Sequence, residues 1–192
     1  DRNRIQTDEI RVETLSGVVR PRWVGANRVR VDMGAPELAP AKVPVAMTKI
    51  ESPVIDFPLT VEGTELRVTC LSMGNPHAVA FLDYPVADFA LERIGPVVER
   101  HPFFPRRVNF SIVNSLAPDH LRSRVWERGA GPTMACGTGA CAAVVAARLK
   151  GLVPGDADIE LPGGLLAISW NGQGSVYLEG PVEEVFEGEW PD

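Results

Sequence analysis

The chain has 192 residues, of which 45% are hydrophobic and 23% are charged, and its formal net charge is −6. This composition excludes a disordered tail and predicts one or two compact units with a real core. The charges are spread along the sequence and no Lys/Arg cluster offers a surface that tracks phosphates, so nucleic acid is excluded as a partner.

The cellular setting follows from three further features of the sequence. No apolar stretch reaches the length of a membrane span, and the polar opening DRNRIQTDEI lacks the hydrophobic core of a signal peptide. The three cysteines, an odd number, do not form a disulfide framework. We therefore expect a soluble cytoplasmic protein with reduced thiols, one of which is a candidate for reactivity.

Alternating apolar residues predict a β-meander in the first part of the chain, broken at Gly17 and Gly25. The residues that alternate are Ile10, Val12, Leu15, Val29, Val31 and Met33. The proline-rich stretch 35–45 then predicts an extended crossing between two structural units.

The middle of the chain predicts a hairpin around Glu62, Gly63 and Thr64, followed by a strand at HAVAFLDY. The segment DFALERIGPVVERHP predicts a short amphipathic helix, and RVNFSIVNS and RSRVWERG predict two more strands.

An apolar, alanine-rich run from Thr138 to Lys150 predicts a second helix that ends at Gly151. The rest of the sequence predicts short strands joined by glycine-containing turns. Many strands with one strongly apolar helix indicate an α/β fold in which sheet wraps around a buried helix.

Cys136 lies where a glycine loop enters this apolar helix. Free N–H groups and the positive end of the helix dipole favour thiolate over thiol there, and Gly137 and Gly139 let a carboxylate approach the backbone. From position alone, an inert buried cysteine is an equally good interpretation.

Other cysteine chemistries do not fit the spacing. A phosphatase loop needs an arginine where the chain has Ala142, and no pair of Cys or His residues has zinc-site spacing. The glycines also lack the context of a dinucleotide fingerprint. Cys70 and Cys141 are best interpreted as core residues.

Polar residues in two other segments are weaker candidates. Asn75 and His77, in the segment MGNPHAV, are by type more often a turn cap and a satisfied polar residue than ligand contacts. Glu127 and Arg128, at a strand end before the glycine loop, most often form an ordinary surface pair.

Four motifs in one order give the chain a resemblance to a known family. They are GNPH at 74–77, RVN at 107–109, WERGAG at 126–131 and ACGTGA at 135–140, with LPGG at 161–164 after them. Together they resemble diaminopimelate epimerase over nearly the whole chain.

The resemblance implies an isomerase that converts LL-diaminopimelate to the meso form, in lysine and peptidoglycan-precursor biosynthesis, without pyridoxal phosphate, another cofactor or a metal. Two cysteines move the proton, one as base and the other as acid. It implies proton-transfer roles for Cys136, His77 and Glu127, and contacts to the charged groups of the substrate for Asn75, Asn109, Glu127, Arg128, Gly137 and Thr138. Relatives also suggest a homodimer.

The resemblance also implies a domain division. The family's first half carries the other cysteine in a CGNG-like turn, which this sequence lacks. We expect residues 1–35 to be remaining strands of that first domain and residues 182–192 to be a strand that returns to it. Residues 36–181 are expected to form the second domain, with a β-barrel-like sheet around a central helix. Three outcomes are then open: the chain is a fragment of a longer protein, the missing half is supplied separately, or the chain is inactive.

Two other functions stay open at this point. A proline racemase-like enzyme would keep the fold and use two cysteines, whereas phenazine-biosynthesis isomerase-like proteins lack the cysteines, so Cys136 argues against the latter. A non-catalytic module would retain only a carboxylate-binding half-site.

Overall fold

The structure of the protein is a computed structural model that describes residues 7–14, 17–46 and 51–189. Leu15, which we predicted in an opening strand, and the outer ends of the two terminal segments lie outside these residues. The strands are β1 Val12–Thr14, β2 Gly17–Val19, β3 Pro21–Gly25, β4 Arg28–Asp32, β5 Val54–Val61, β6 Thr64–Ser72, β7 Pro76–Phe81, β8 Asn109–Ala117, β9 His120–Glu127, β10 Gly131–Pro132, β11 Ala157–Leu161, β12 Gly164–Ser169 and β13 Tyr177–Pro181. The α-helices are α1 Leu91–Glu99 and α2 Gly137–Leu149.

Most strands join one eleven-stranded sheet, in the order β3-β4-β13-β12-β11-β9-β8-β7-β6-β5, with β10 paired to β9. The predicted opening meander is divided: β1 and β2 form a separate two-stranded sheet, whereas β3 and β4 join the large one through β13. The chain is therefore a mixed α/β protein with one large sheet and two α-helices among the residues described.

Among the described residues two strand pairs are parallel, and each needs a crossover connection. Helix α1 lies in the connection from β7 to β8, and α2 lies in the connection from β9 to β11. The other strand pairs of the described sheet are antiparallel. The two helices are thus the elements that the parallel pairs require.

The two faces of the central strands carry separate apolar clusters. Alternate residues of β8 show this: Phe110 and Ile112 belong to the cluster that contains α1, whereas Val113 belongs to the cluster that contains α2. Residues 140–147 of α2 are almost fully buried, and this helix contacts seven strands of the sheet. The prediction of an unusually apolar helix is confirmed.

The predicted hairpin is also confirmed, because Val61 pairs with Thr64 across Glu62 and Gly63. Both turn residues have positive φ, at 46° and 76°, as a two-residue turn of this hand requires. The proline-rich stretch is only partly the extended crossing that we predicted. Glu37 pairs with Ser72 in extended form, but residues 40–44 form a turn.

No helix in the described ranges is long and apolar enough to cross a membrane.

Candidate functional site

The thiol of Cys136 lies at the N-terminus of α2. Cys136 is the residue before the helix, with extended backbone angles (φ −134°, ψ 108°), so its side chain turns back toward the first helical turn. Its Sγ accepts a hydrogen bond from Gly139 N at 3.4 Å and lies 3.6 Å from Thr138 Oγ1. The residue is 7% exposed. The sequence-based placement of this cysteine at a helix N-terminus agrees with the structure.

The surroundings of Cys136 favour the protonated thiol. Burial raises the pKa of Cys136 above its ordinary value, and the Glu127 carboxylate raises it further, whereas hydrogen bonds with Thr138 and Gly139 lower it. The raising effects are larger. The helix N-terminal donors therefore act in the direction that the sequence predicts, because they lower the pKa of Cys136, but burial raises it by more.

Asn75 and His77 reach the thiol through a chain of hydrogen bonds. His77 Nε2 lies 3.0 Å from Asn75 Oδ1, and Asn75 Nδ2 donates to Thr138 Oγ1 at 3.2 Å. Thr138 in turn contacts Cys136. Since the Asn75 amide oxygen can only accept, His77 carries its proton on Nε2 and its Nδ1 is unprotonated.

His77 is a neutral imidazole inside the core. Burial, with a smaller contribution from the positive charge of Arg128, lowers its pKa to about 3. Its Nδ1 has no hydrogen-bond partner among the residues that the structure describes. The structure thus brings His77 to the site as a fixed hydrogen-bond donor to Asn75.

Asn109 joins the Asn75 turn to the loop after β9. This buried side chain donates from Nδ2 to Pro76 O at 3.1 Å and accepts at Oδ1 from Arg128 N at 2.9 Å. The Arg128 guanidinium is exposed and donates to Arg106 O at 3.0 Å. Both Asn109 groups are thus engaged within the chain, which fixes the backbone next to Glu127.

Glu127 is held beside the thiol by a residue that sequence reasoning missed. Thr133 Oγ1 donates to Glu127 Oε1 at 2.5 Å. The Glu127 carboxylate in turn raises the pKa of Cys136. A hydroxyl in a loop gives no specific signal in a single sequence. The contact becomes evident only once the loop is folded against the end of β9.

Ser111 is a second residue that the sequence analysis missed. Its buried Oγ has no partner in the described part of the chain, and it borders Gly139 together with the thiol. A methyl group placed on Gly139 would lie 3.2 Å from Cys136 Sγ and 3.7 Å from Ser111 Oγ. The sequence could have indicated Ser111, because Asn109 and Ser111 are two polar residues on the same face of an otherwise apolar strand.

The other two thiols lie in the core. Cys70 and Cys141 are both 0% exposed, and burial raises the pKa of each, for Cys141 to about 12. Their interpretation as core residues is confirmed. Over residues 7–14, 17–46 and 51–189, no group of three or more His, Cys, Asp or Glu side chains is placed to hold a metal ion.

Two surface depressions lie away from these residues. They have volumes of about 440 and 880 Å³ and share Arg30 and Tyr177 in their walls, and neither contains any predicted site residue. The hydrogen-bonded group around Cys136 is the better candidate site, because it combines a thiol, a carboxylate and helix N-terminal donors.

The sequence is similar to known proteins over nearly all its length. A sequence model described as "Diaminopimelate epimerase" matches residues 69–185, a range that includes every predicted site residue. A diaminopimelate epimerase from Microcystis aeruginosa is 49% identical over 182 residues, which cover 94% of this chain and 64% of that protein. One from Carboxydothermus hydrogenoformans is 48% identical, with 95% and 65% covered. The chain spans slightly less than two thirds of the length of these relatives.

Solved structures with low sequence identity share the fold. A hydroxyproline epimerase from Agrobacterium vitis superposes with a TM-score of 0.59 at 17% identity, over 94% of this chain and 58% of that one. A phenazine biosynthesis protein of the PhzF family from Bacillus anthracis gives a TM-score of 0.53 at 11% identity, over 92% and 66%. At these identities the similarities show a shared fold, a large sheet with two helices, and do not show a shared activity.

Proposed function

Because this chain belongs to the diaminopimelate epimerase family, we propose that it carries half of the proton-transfer site of an isomerase that converts LL-diaminopimelate to meso-diaminopimelate. The observation that carries the proposal is the Cys136 thiol at the N-terminus of α2, hydrogen-bonded to the first helical turn and flanked by Glu127. The reaction needs a group that can give or take one proton at an α-carbon, and a thiol in this setting does so.

The first turn of α2 supplies the binding site for the reacting carboxylate. The N–H groups of Gly137 and Thr138 belong to the first helical turn, whose N–H groups lack carbonyl partners within the helix. A carboxylate there is stabilised by these donors and by the helix dipole. It can accept the electron pair of the α-carbanion, which is how the reaction proceeds without an added electron sink.

The proposed reaction moves two protons, one from the α-carbon and one to it. A base on one face removes the α-hydrogen as a proton and leaves the electron pair on the carbon and its carboxylate. Cys136 gives its S–H proton to the opposite face and becomes a thiolate, which Gly139 N and Thr138 Oγ1 stabilise. In the reverse direction the Cys136 thiolate takes the proton. No net charge, electron or atom is gained or lost.

The second acid/base residue is proposed to come from outside the described chain. Cys70 and Cys141 are fully buried, so neither is suited to the role. We propose the division into residues 1–35, 36–181 and 182–192, with 36–181 as one domain whose barrel-like sheet encloses α2. The seven strands that contact α2 support that arrangement. We further propose a cytoplasmic homodimer as the complete enzyme.

One alternative keeps the fold and changes the substrate. The structural likeness to a hydroxyproline epimerase makes a cyclic imino acid the competing substrate class. The identities of 48% and 49% to proteins named diaminopimelate epimerase favour the diamino acid. A binding module without turnover is the second alternative.

Substrate class is tested with the full-length gene product and chiral chromatography of the products. We expect conversion of LL-diaminopimelate and none of L-proline or trans-4-hydroxy-L-proline. Conversion of an imino acid alone would reject the proposed substrate. Binding of diaminopimelate by calorimetry without any conversion would support the module without turnover.

A further inference from the structure

A buried glutamate at the end of α1 contacts the loop that carries Glu127. Glu99 is 2% exposed, and both of its carboxylate oxygens are engaged. Oε2 accepts from Trp126 Nε1 at 2.7 Å, and Oε1 accepts from Gly129 N at 3.2 Å. The guanidinium of Arg107 lies 3.5 Å from Oε1. Because a buried carboxylate without partners is strongly unfavourable, these partners are held firmly in place.

The two donors flank the dipeptide that faces the thiol. Trp126 precedes Glu127, and Gly129 follows Arg128, so Glu99 binds the chain on both sides of the pair. Helix α1 also fits closely against the Trp126 ring, because a methyl group on Gly95 would lie 2.7 Å from two ring carbons. The helix therefore fixes the ring by contact and its N–H by a hydrogen bond.

We call the two hydrogen bonds from Trp126 and Gly129 to Glu99 the clamp. The residues between them include Glu127 of the proposed proton-transfer site. Between the two anchored residues, Glu127 bonds to Thr133 and acts on Cys136, and Arg128 N bonds to Asn109. We propose that Glu99 is a positioning residue: it holds both ends of the Glu127–Arg128 dipeptide so that the Glu127 carboxylate faces Cys136. The importance of Glu99 for catalysis rests on the proposed function, whereas its role in placing the Glu127 carboxylate does not.

The competing interpretation is that Glu99 only attaches α1 to the sheet. Helix α1 offers a matched control in Glu92, whose exposed carboxylate binds Arg124 at 2.8 Å and so also ties the helix to β9. In the described part of the chain Glu92 makes no hydrogen bond or ion pair with the 127–131 loop, so Glu92→Gln removes a helix-to-sheet ion pair and leaves the clamp in place.

The test is the pH dependence of Cys136 alkylation in the folded full-length protein, with iodoacetamide as the probe and the labelled peptide identified by mass spectrometry. Because the Glu127 carboxylate raises the pKa of Cys136, releasing Glu127 lowers it. In Glu99→Gln we expect the alkylation midpoint to fall by roughly 0.5 to 1 pH unit, which makes alkylation near neutral pH about three to ten times faster. In Glu92→Gln we expect no change.

Two further variants separate positioning from a direct charge effect. Trp126→Phe removes one donor to Glu99 without altering any charge, and we expect the midpoint to fall in the same direction. In a Glu127→Gln background, Glu99→Gln should add no further fall, because the effect passes through Glu127. An unchanged midpoint in folded Glu99→Gln, or a full fall in the Glu127→Gln background, would overturn the proposal. If Glu99→Gln does not fold, Trp126→Phe decides in the same way.

The titration uses no substrate, so it is independent of turnover. A shifted midpoint with no diaminopimelate conversion by the wild type would reject the proposed function and leave the placement of Glu127 standing. Conversion by the wild type, with an unshifted midpoint in Glu99→Gln, would support the proposed function and reject the positioning role of Glu99.

Discussion

The side-chain amide of Asn75 donates to Thr138 Oγ1 at 3.2 Å and so joins the turn before β7 to the N-terminus of α2 across 63 positions of sequence. Thr138 also contacts the Cys136 thiol, and Asn75 holds the His77 ring. The three polar side chains therefore act on Cys136 as one hydrogen-bonded unit. Of the three, Thr138 contacts the thiol directly and lowers its pKa.

The first prediction concerns Thr138→Val, which keeps the side-chain shape and removes the hydroxyl. The Thr138 hydrogen bond lowers the pKa of Cys136, so its loss should raise that pKa. We expect the alkylation midpoint of Cys136 to rise by roughly 0.5 pH unit. Thr60→Val on the exposed face of β5 is the matched control and should leave the midpoint in place. A lower or equal midpoint in Thr138→Val would contradict the hydrogen-bonded unit.

The second prediction concerns stability and pH. The pKa of His77 in the folded chain is about 3, below its value of 6.5 in an unfolded chain, so the unfolded state takes up the proton first as pH falls. The contribution of neutral His77 is fully present above pH 6.5 and is lost as pH falls toward 3. Between pH 6.5 and 5, the free energy of unfolding should decline more steeply in the wild type than in His77→Gln, with an extra slope that approaches about 1.4 kcal/mol per pH unit near pH 5. Urea unfolding across this range measures it, and parallel curves would count against a buried neutral His77.

The third prediction compares two glycines in the first turn of α2. A methyl group at position 139 would lie 3.2 Å from Cys136 Sγ, whereas one at position 137 would lie 3.2 Å from the flexible end of Leu178. Gly139→Ala should displace the thiol from Gly139 N and, with that bond lost, slow alkylation near neutral pH roughly three- to tenfold. Gly137→Ala should change it little, because the Leu178 side chain can move. Equal rates in both variants would show that the thiol is not seated against Gly139.

Much of the local structure could be predicted from the sequence. Alanine-rich composition and the stop at Gly151 defined α2 to within one residue at each end, and alternation with a Glu62–Gly63 turn defined the β5–β6 hairpin. These features depend on neighbours in the chain. The pairing of β13 with β4 depends on contacts between distant segments, for which a single sequence gives no signal.

The candidate site, too, could be predicted only in part from the sequence. The position of Cys136 followed from a glycine loop meeting an apolar helix, a local pattern. Its protonation did not follow, because the desolvation that raises the pKa comes from strands packed around the helix terminus. The contact of Glu99 with Trp126 was equally out of reach, since it depends on how α1 docks against β9.

The measurement that tests the central claim most directly is the formation of α-deuterated meso-diaminopimelate from LL-diaminopimelate in D₂O by the full-length protein, followed by mass spectrometry. We predict that the wild type forms the labelled product, because the proton that Cys136 delivers exchanges with solvent. A folded Cys136→Ala variant should form it at least about a hundredfold more slowly. If Cys136→Ala forms labelled product at the wild-type rate, Cys136 does not carry the proton and the proposed mechanism is wrong.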